Sequence, residues 1–164
     1  MNILDAYDQI NRWIAASSGS PIDVGPEDWE SCFSRLRSFN EDDLLDFESN
    51  NGVKLPGQYR SFLKDVGSAD LFGGVVVLSP AEIKRFSRSV FQNFGEDPFP
   101  SLFLAVSMPR FGYFGGFLLE RAGVENFAVF YPEVPPELWI DEADFVQFDQ
   151  WIIRLVESKA RSIS

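Results

Sequence analysis

The sequence predicts an α+β fold, a mostly antiparallel sheet of four or more strands packed with N-terminal, central and C-terminal helices. Three observations carry this. Residues 40–80 read as helix, tight turn, helix and strand. Three β-rich runs between residues 102 and 131 are joined by short connections containing glycine, which favours antiparallel pairing. Both ends of the chain place apolar residues at helical spacing.

In chain order, Ile3, Ala6, Tyr7, Ile10, Trp13 and Ile14 share one face of a first helix, with Asp5, Asp8, Asn11 and Arg12 off it. That helix is too short to stand alone and must dock on the main body. Residues 17–26 read as a loop from their Ser, Gly and Pro content. Pro26, followed by Glu27 and Asp28, predicts the start of a short helical segment carrying Trp29, Phe33 and Leu36. Asn40 is a helix N-cap, Glu41, Asp42 and Asp43 suit the first turn, Leu44, Leu45 and Phe47 give an apolar face, and Gly52 is the stop. Leu55-Pro56 leads into a second helix, in which Tyr59, Phe62, Leu63 and Val66 recur at i, i+3, i+4 and i+7, and Gly67 ends it. After a polar turn, Leu71 to Leu78 reads as one buried strand.

Ser79-Pro80-Ala81-Glu82 opens a further helix with Ile83, Phe86 and Val90 inward and Lys84, Arg85 and Arg88 as a basic patch. Residues 94–100 read as a loop. Strands are expected at 102–107, 113–120 and 127–131. Three prolines between 132 and 136 argue against regular structure over 132–142. Phe145, Phe148, Ile152 and Leu155 mark a C-terminal helix, with Arg154, Lys159 and Arg161 near its end and a fraying tail from Ser162.

The chain has 164 residues, which suits one domain with a substantial core; 45% are hydrophobic and 17 are Phe, which excludes a disordered chain. The formal net charge of −11 disfavours nucleic acid and anionic membranes as partners and suits a basic one; it also keeps an aromatic-rich chain soluble. The N-terminal stretch has neither a basic start nor a long apolar run, so no secretory signal is expected, and no apolar run is long enough to span a bilayer. With Cys32 as the sole cysteine, the chain reads as cytoplasmic.

Histidine is absent, which removes the commonest general base and metal ligand and any Ser-His or Cys-His nucleophile. Cys32, between Trp29 and Phe33, reads as a packing residue. Asp42-Asp43 and Asp141-Glu142 are adjacent acids, and Asp141, Glu142 and Asp144 lack the order of a calcium loop. Neither a catalytic site, a metal nor a cofactor is expected. Gly115-Gly116, and likewise Gly73-Gly74, read as places of bending or close backbone packing rather than phosphate-clamping loops.

The ordered set Phe47-Glu48, Gly52, Leu55-Pro56, Tyr59, Phe62-Leu63, Gly67, Gly73-Gly74 and Val75 to Leu78 resembles the SUKH superfamily, the Smi/Knr-type domain. The chain departs from it in reading Val66-Gly67-Ser68 where the family often carries Asn-Gly-Gly. The resemblance implies an α+β interaction domain. In bacteria such a domain is mostly an immunity protein that binds and blocks a toxin, and in fungi a regulatory scaffold. An immunity protein against a basic toxin, such as a nuclease, is therefore the expected function. The alternative is a regulatory scaffold, and an enzyme using a carboxylate pair is a distant third.

Three stretches hold acids without a base: residues 23–30, residues 41–48 and residues 133–149. The last is interrupted by Leu138, Trp139 and Ile140. An aromatic residue ringed by charge is typical of interfaces. Glu133, Glu137, Trp139, Asp141, Glu142 and Asp144 are the expected partner-binding residues, with Trp139 as anchor or, alternatively, packed back onto the sheet. Glu41, Asp42, Asp43 and Asp46 are the second candidate surface.

Overall fold

Asn2 and Asn40 open two helices by the same device. In the computed structural model, which describes residues 1–25, 29–92 and 101–164, Asn2 Oδ1 accepts the Asp5 N–H at 2.9 Å and Asp5 Oδ2 accepts the Asn2 N–H at 3.1 Å. Asn40 and Asp43 repeat this at 2.9 Å each way. These reciprocal caps satisfy N–H groups that would otherwise lack partners. They start α1 (Ile3–Ser17) and α2 (Glu41–Asn51).

Gly52 ends α2 in the left-handed conformation, and Glu48 then fixes the next turn. One Glu48 oxygen accepts the Leu55 N–H at 2.7 Å and the other accepts from Arg60 at 3.0 and 3.1 Å. This delivers the chain into α3 (Gly57–Asp65), where Tyr59, Phe62 and Leu63 are fully buried and Val66 nearly so. The Tyr59 hydroxyl donates to the Leu78 carbonyl, tying α3 to the sheet. Gly67 ends α3 at φ +98°, and a Cβ there would lie 2.2 Å from the Arg37 carbonyl oxygen. Only glycine meets both demands.

The main sheet runs β3 (Ser34–Arg37), β4 (Ser68–Leu71), β5 (Val75–Val77), β6 (Leu102–Met108), β7 (Tyr113–Leu118) and β8 (Phe127–Phe130), antiparallel throughout and in sequential order. A separate pair, β1 (Ile22–Asp23) and β2 (Glu30–Ser31), precedes it. Helices α1, α3 and α6 (Phe148–Glu157) cover one face, and their core includes Ile10, Phe62, Phe117, Phe127 and Trp151. On the other face Phe91, Leu102, Leu104, Ala128, Phe130 and Trp139 form a second cluster, bordered by Phe86 and Val90 of α4 (Pro80–Val90). Gly115 and Gly116 let this sheet close up: a Cβ at Gly115 would lie 2.7 Å from the Phe127 ring, and one at Gly116 3.0 Å from Leu104. Among the described residues, no helix is long and apolar enough to cross a membrane.

Several expectations are corrected. Leu71–Leu78 is a hairpin rather than one strand, and the expected polar turn before it is part of β4. Phe72 and Gly73 both take positive φ, +55° and +61°, and turn the chain. Phe72 is held there by its ring contacts with Trp13 and Phe33, at 5.4 and 4.8 Å. Trp29, Phe33 and Leu36 do not form a helix. The chain runs instead through the strands β2 and β3, and Phe33, in the connection between them, is buried while Trp29 and Leu36 are exposed. Cys32 is half-buried there. Residues 17–26 are not all loop, since β1 lies within them. Leu45 faces solvent. The tail is held by the Trp151 indole N–H, which donates to the Ile163 carbonyl at 2.9 Å. The expected helix start at Pro26, Glu27 and Asp28 and the expected loop at 94–100 lie outside the described residues.

Phe62→Ala removes a ring that meets Tyr7 and Phe148 edge-on at 5.8 and 5.9 Å. The expected loss is about 3–5 kcal/mol in urea unfolding at equilibrium; a loss under about 1 kcal/mol would show that this face is not core.

Candidate partner-binding surface

The segment after β8 is built on prolines. Pro136 sits at the first position of a 3-10 turn, Pro136–Leu138, where its missing N–H costs nothing. One α-helical turn follows, α5 (Trp139–Glu142), so 132–142 contains short regular structure that its prolines had argued against. The prolines confine it to single turns.

Trp139 decides the orientation of this segment. Only 3% exposed, it stacks on Phe130 with ring centroids 5.2 Å apart and an interplanar angle of 20°, and it also meets Phe91 and Phe114 at 5.6 and 5.8 Å. Its indole N–H donates to the Val134 carbonyl at 2.7 Å. Of the two roles open to it from sequence, the structure takes the second: Trp139 packs onto the sheet, and as an exposed anchor it is corrected. The physical reason is that the outer face of the sheet at Ala128 and Phe130 is apolar and needs a cover. With the indole inward, Leu138 turns out to 40% exposure, and Glu133, Glu137, Asp141, Glu142 and Asp144 are all exposed.

A cleft of about 480 Å³ lies between this segment, the edge of β8 and α6. Glu142 and Asp144 line it on one side, Trp151 and Arg154 on another, and Val129 and Tyr131 along the strand. Sequence reasoning missed the α6 contributors, because the C-terminal helix is read from sequence for its inward face and only the packing of α6 beside β8 turns Trp151 and Arg154 toward the acidic loop. A second cation borders the segment: the Arg121 guanidinium lies over the Phe145 ring at 4.6 Å. Asp149 differs from the other acids of the stretch. It is half-buried, its Oδ1 has no hydrogen-bond partner, and burial pushes its carboxyl above the usual range.

The acids of α2 are differently placed. Glu41 takes Arg60 and Lys64 at 2.9 Å each, and hydrogen bonds first from Arg60 and then from Lys64 hold its carboxyl at about 2. Asp43 is occupied as a cap, while Asp42 and Asp46 face solvent. Among the described residues, the ion pairs are those of Arg60 and Lys64 with Glu41 and Glu48, so the acids at 133–144 have no ion-pair partner. Among the same residues, no three of His, Cys, Asp and Glu are grouped to hold a metal ion.

The model of the SMI1-KNR4 cell-wall family matches residues 41–148, from the first residue of α2 to the first of α6. The chain is 50% identical over 168 residues to the immunity protein RhsIB of Dickeya dadantii (strain 3937), an alignment that covers 99% of this chain and 100% of that protein. It thus takes in α1 and the rest of α6, which the family match omits. No solved structure matches.

Two outcomes follow from these placements. Trp139→Ala leaves a cavity over Phe130 and is expected to cost about 3–5 kcal/mol of stability, read by urea melts. For Asp149, the folded state favours the protonated carboxyl. Its ionisation therefore costs nothing below the ordinary carboxylate range, and the cost grows as pH rises through the raised value. Asp149→Asn removes that cost, so its stability relative to the parent should be higher at about pH 7 than at about pH 3; an equal difference at both would refute the assignment.

Proposed function

The chain belongs to the SMI1-KNR4 cell-wall family of the SUKH superfamily, and from that membership we propose that it is an immunity protein that binds and neutralises a cognate toxin. The observation that carries this is the full-length identity to a protein named as an immunity protein. We place its action in the cytoplasm, as a non-catalytic binder of a basic toxin such as a nuclease.

In this reading the segment from Glu133 to Asp144 is the principal contact. Among the described residues its acids form no ion pair, whereas Glu41 and Asp43 of the α2 surface are already engaged. The exposed carboxylates meet the toxin's basic substrate-binding surface and occlude it. Leu138, rather than Trp139, is the apolar residue presented. Prolines at 135 and 136 lower the cost of ordering the loop on binding.

The test is co-expression with the product of the gene immediately upstream of this chain's own, as the candidate toxin, reading cell survival, together with surface plasmon resonance of the purified pair. Neutralisation and a stable complex are expected; a toxin that neither binds nor is inhibited would overturn the reading. Changing Asp141, Glu142 and Asp144 together to Ala is expected to slow association more than it speeds dissociation. Salt should lower the wild-type association rate as the Debye length falls from about 10 Å at 0.1 M to about 3 Å at 1 M. Unchanged kinetics in a folded triple variant would move the contact to Asp42 and Asp46 on α2.

A further inference from the structure

Strand β8 is the last strand of the sheet, and among the described residues only its first residue is paired on its outer side. The Phe127 N–H donates to the Val146 carbonyl at 3.0 Å, and the Phe127 carbonyl accepts the Val146 N–H at 2.7 Å. Direction alternates along a strand. The main-chain groups of Ala128 and Phe130 therefore face β7, and those of Val129 return to the outer side. Asp144 is the residue that would continue the pairing opposite Val129, but the bridge stops at Val146 and Asp144 lines the cleft instead. Beyond Val129, the Tyr131 carbonyl accepts the Val134 N–H at 3.1 Å and closes the edge again. The opening is thus one residue long, and the cleft of about 480 Å³ lies against it.

We propose that this cleft receives an extended segment of the protein partner, whose main chain pairs with the N–H and C=O of Val129 while a Lys or Arg side chain lies against Glu142 and Asp144. The inference rests on the immunity reading for the existence of a partner and adds how it is held. Adding a strand to an open edge supplies main-chain hydrogen bonds, and flanking pockets select side chains. The charge of the occupant follows from the two exposed carboxylates on the loop wall, which have no ion-pair partner among the described residues. Arg154 is the cation among the lining residues and stands on the α6 wall, so the basic side chain lies on the loop side.

The experiment uses the full chain and, as the toxin domain under test, the product of the gene immediately upstream. Amide exchange followed by NMR should show the Val129 N–H slowed in the complex. Val129→Pro removes that donor where the sheet does not use it, a place edge strands tolerate proline. It is expected to weaken binding by about tenfold, the scale of one lost hydrogen bond. Val129→Thr, which keeps the N–H, should bind as the parent does. A complex in which Val129 exchanges as fast as in the free chain, or a folded Val129→Pro with parental affinity, overturns the strand addition and leaves the immunity reading standing. If Val129→Pro does not fold, exchange at Val129 in the parent complex decides alone. If the toxin domain does not bind at all, the immunity reading fails and this inference falls with it.

Discussion

A sheet that is apolar on both faces must be covered twice, and the rest of the molecule is arranged around that requirement. In β8 the alternation is plain: Phe127 and Val129 look toward α1, α3 and α6, while Ala128 and Phe130 look the other way. One cover is made by helices from the two ends of the chain together with α3. The other has α4 and then a proline-limited segment too short to form a full helix. Trp139 completes it with a single large ring and an indole hydrogen bond that fastens the segment to itself. Desolvation of an exposed Phe130 face favours this arrangement over presentation of the ring to solvent.

What the sequence made legible was whatever depends on neighbours a few residues apart. The capped start of α2, the buried face Tyr59, Phe62, Leu63 and Val66, and the strands β6 to β8 could all be read from spacing and cap chemistry. What stayed hidden depends on distant partners. The span 29–37 has helical spacing in its large residues, but β4 offers a strand to pair with, and pairing prevails over a weak local pattern. The hairpin within 71–78 was masked because its turn places a phenylalanine at positive φ, which no local rule expects; the Trp13 and Phe33 rings hold it there. At the candidate surface the acids were legible and the direction of Trp139 was not. Its direction depends on Phe91, Phe114 and Phe130, none of which is near it in the local pattern.

The two acidic segments show why a charge run cannot be interpreted from sequence alone. On α2, Glu41 and Glu48 are bound to Arg60 and Lys64 from the next helix, and they hold the turn that delivers α3. Their charge is spent inside the fold. Beyond β8, among the described residues, no cation is ion-paired to the acids, and the same kind of composition lines a cleft that they share with Arg154. The difference lies in the presence of Arg60 and Lys64, twelve or more residues away from their partners.

Trp139 faces inward, so the segment above it is gripped from beneath. The side chains it displays have no packing duty: Glu137, Leu138, Asp141 and Glu142 rest on a platform that does not depend on them. Substitutions at such sites usually change stability by no more than about 0.5 kcal/mol. Selection can therefore rewrite the display while leaving the platform alone. A lineage whose adversary changes its surface can follow it step by step without passing through unfolded intermediates, and Trp139 is the position at which that freedom ends.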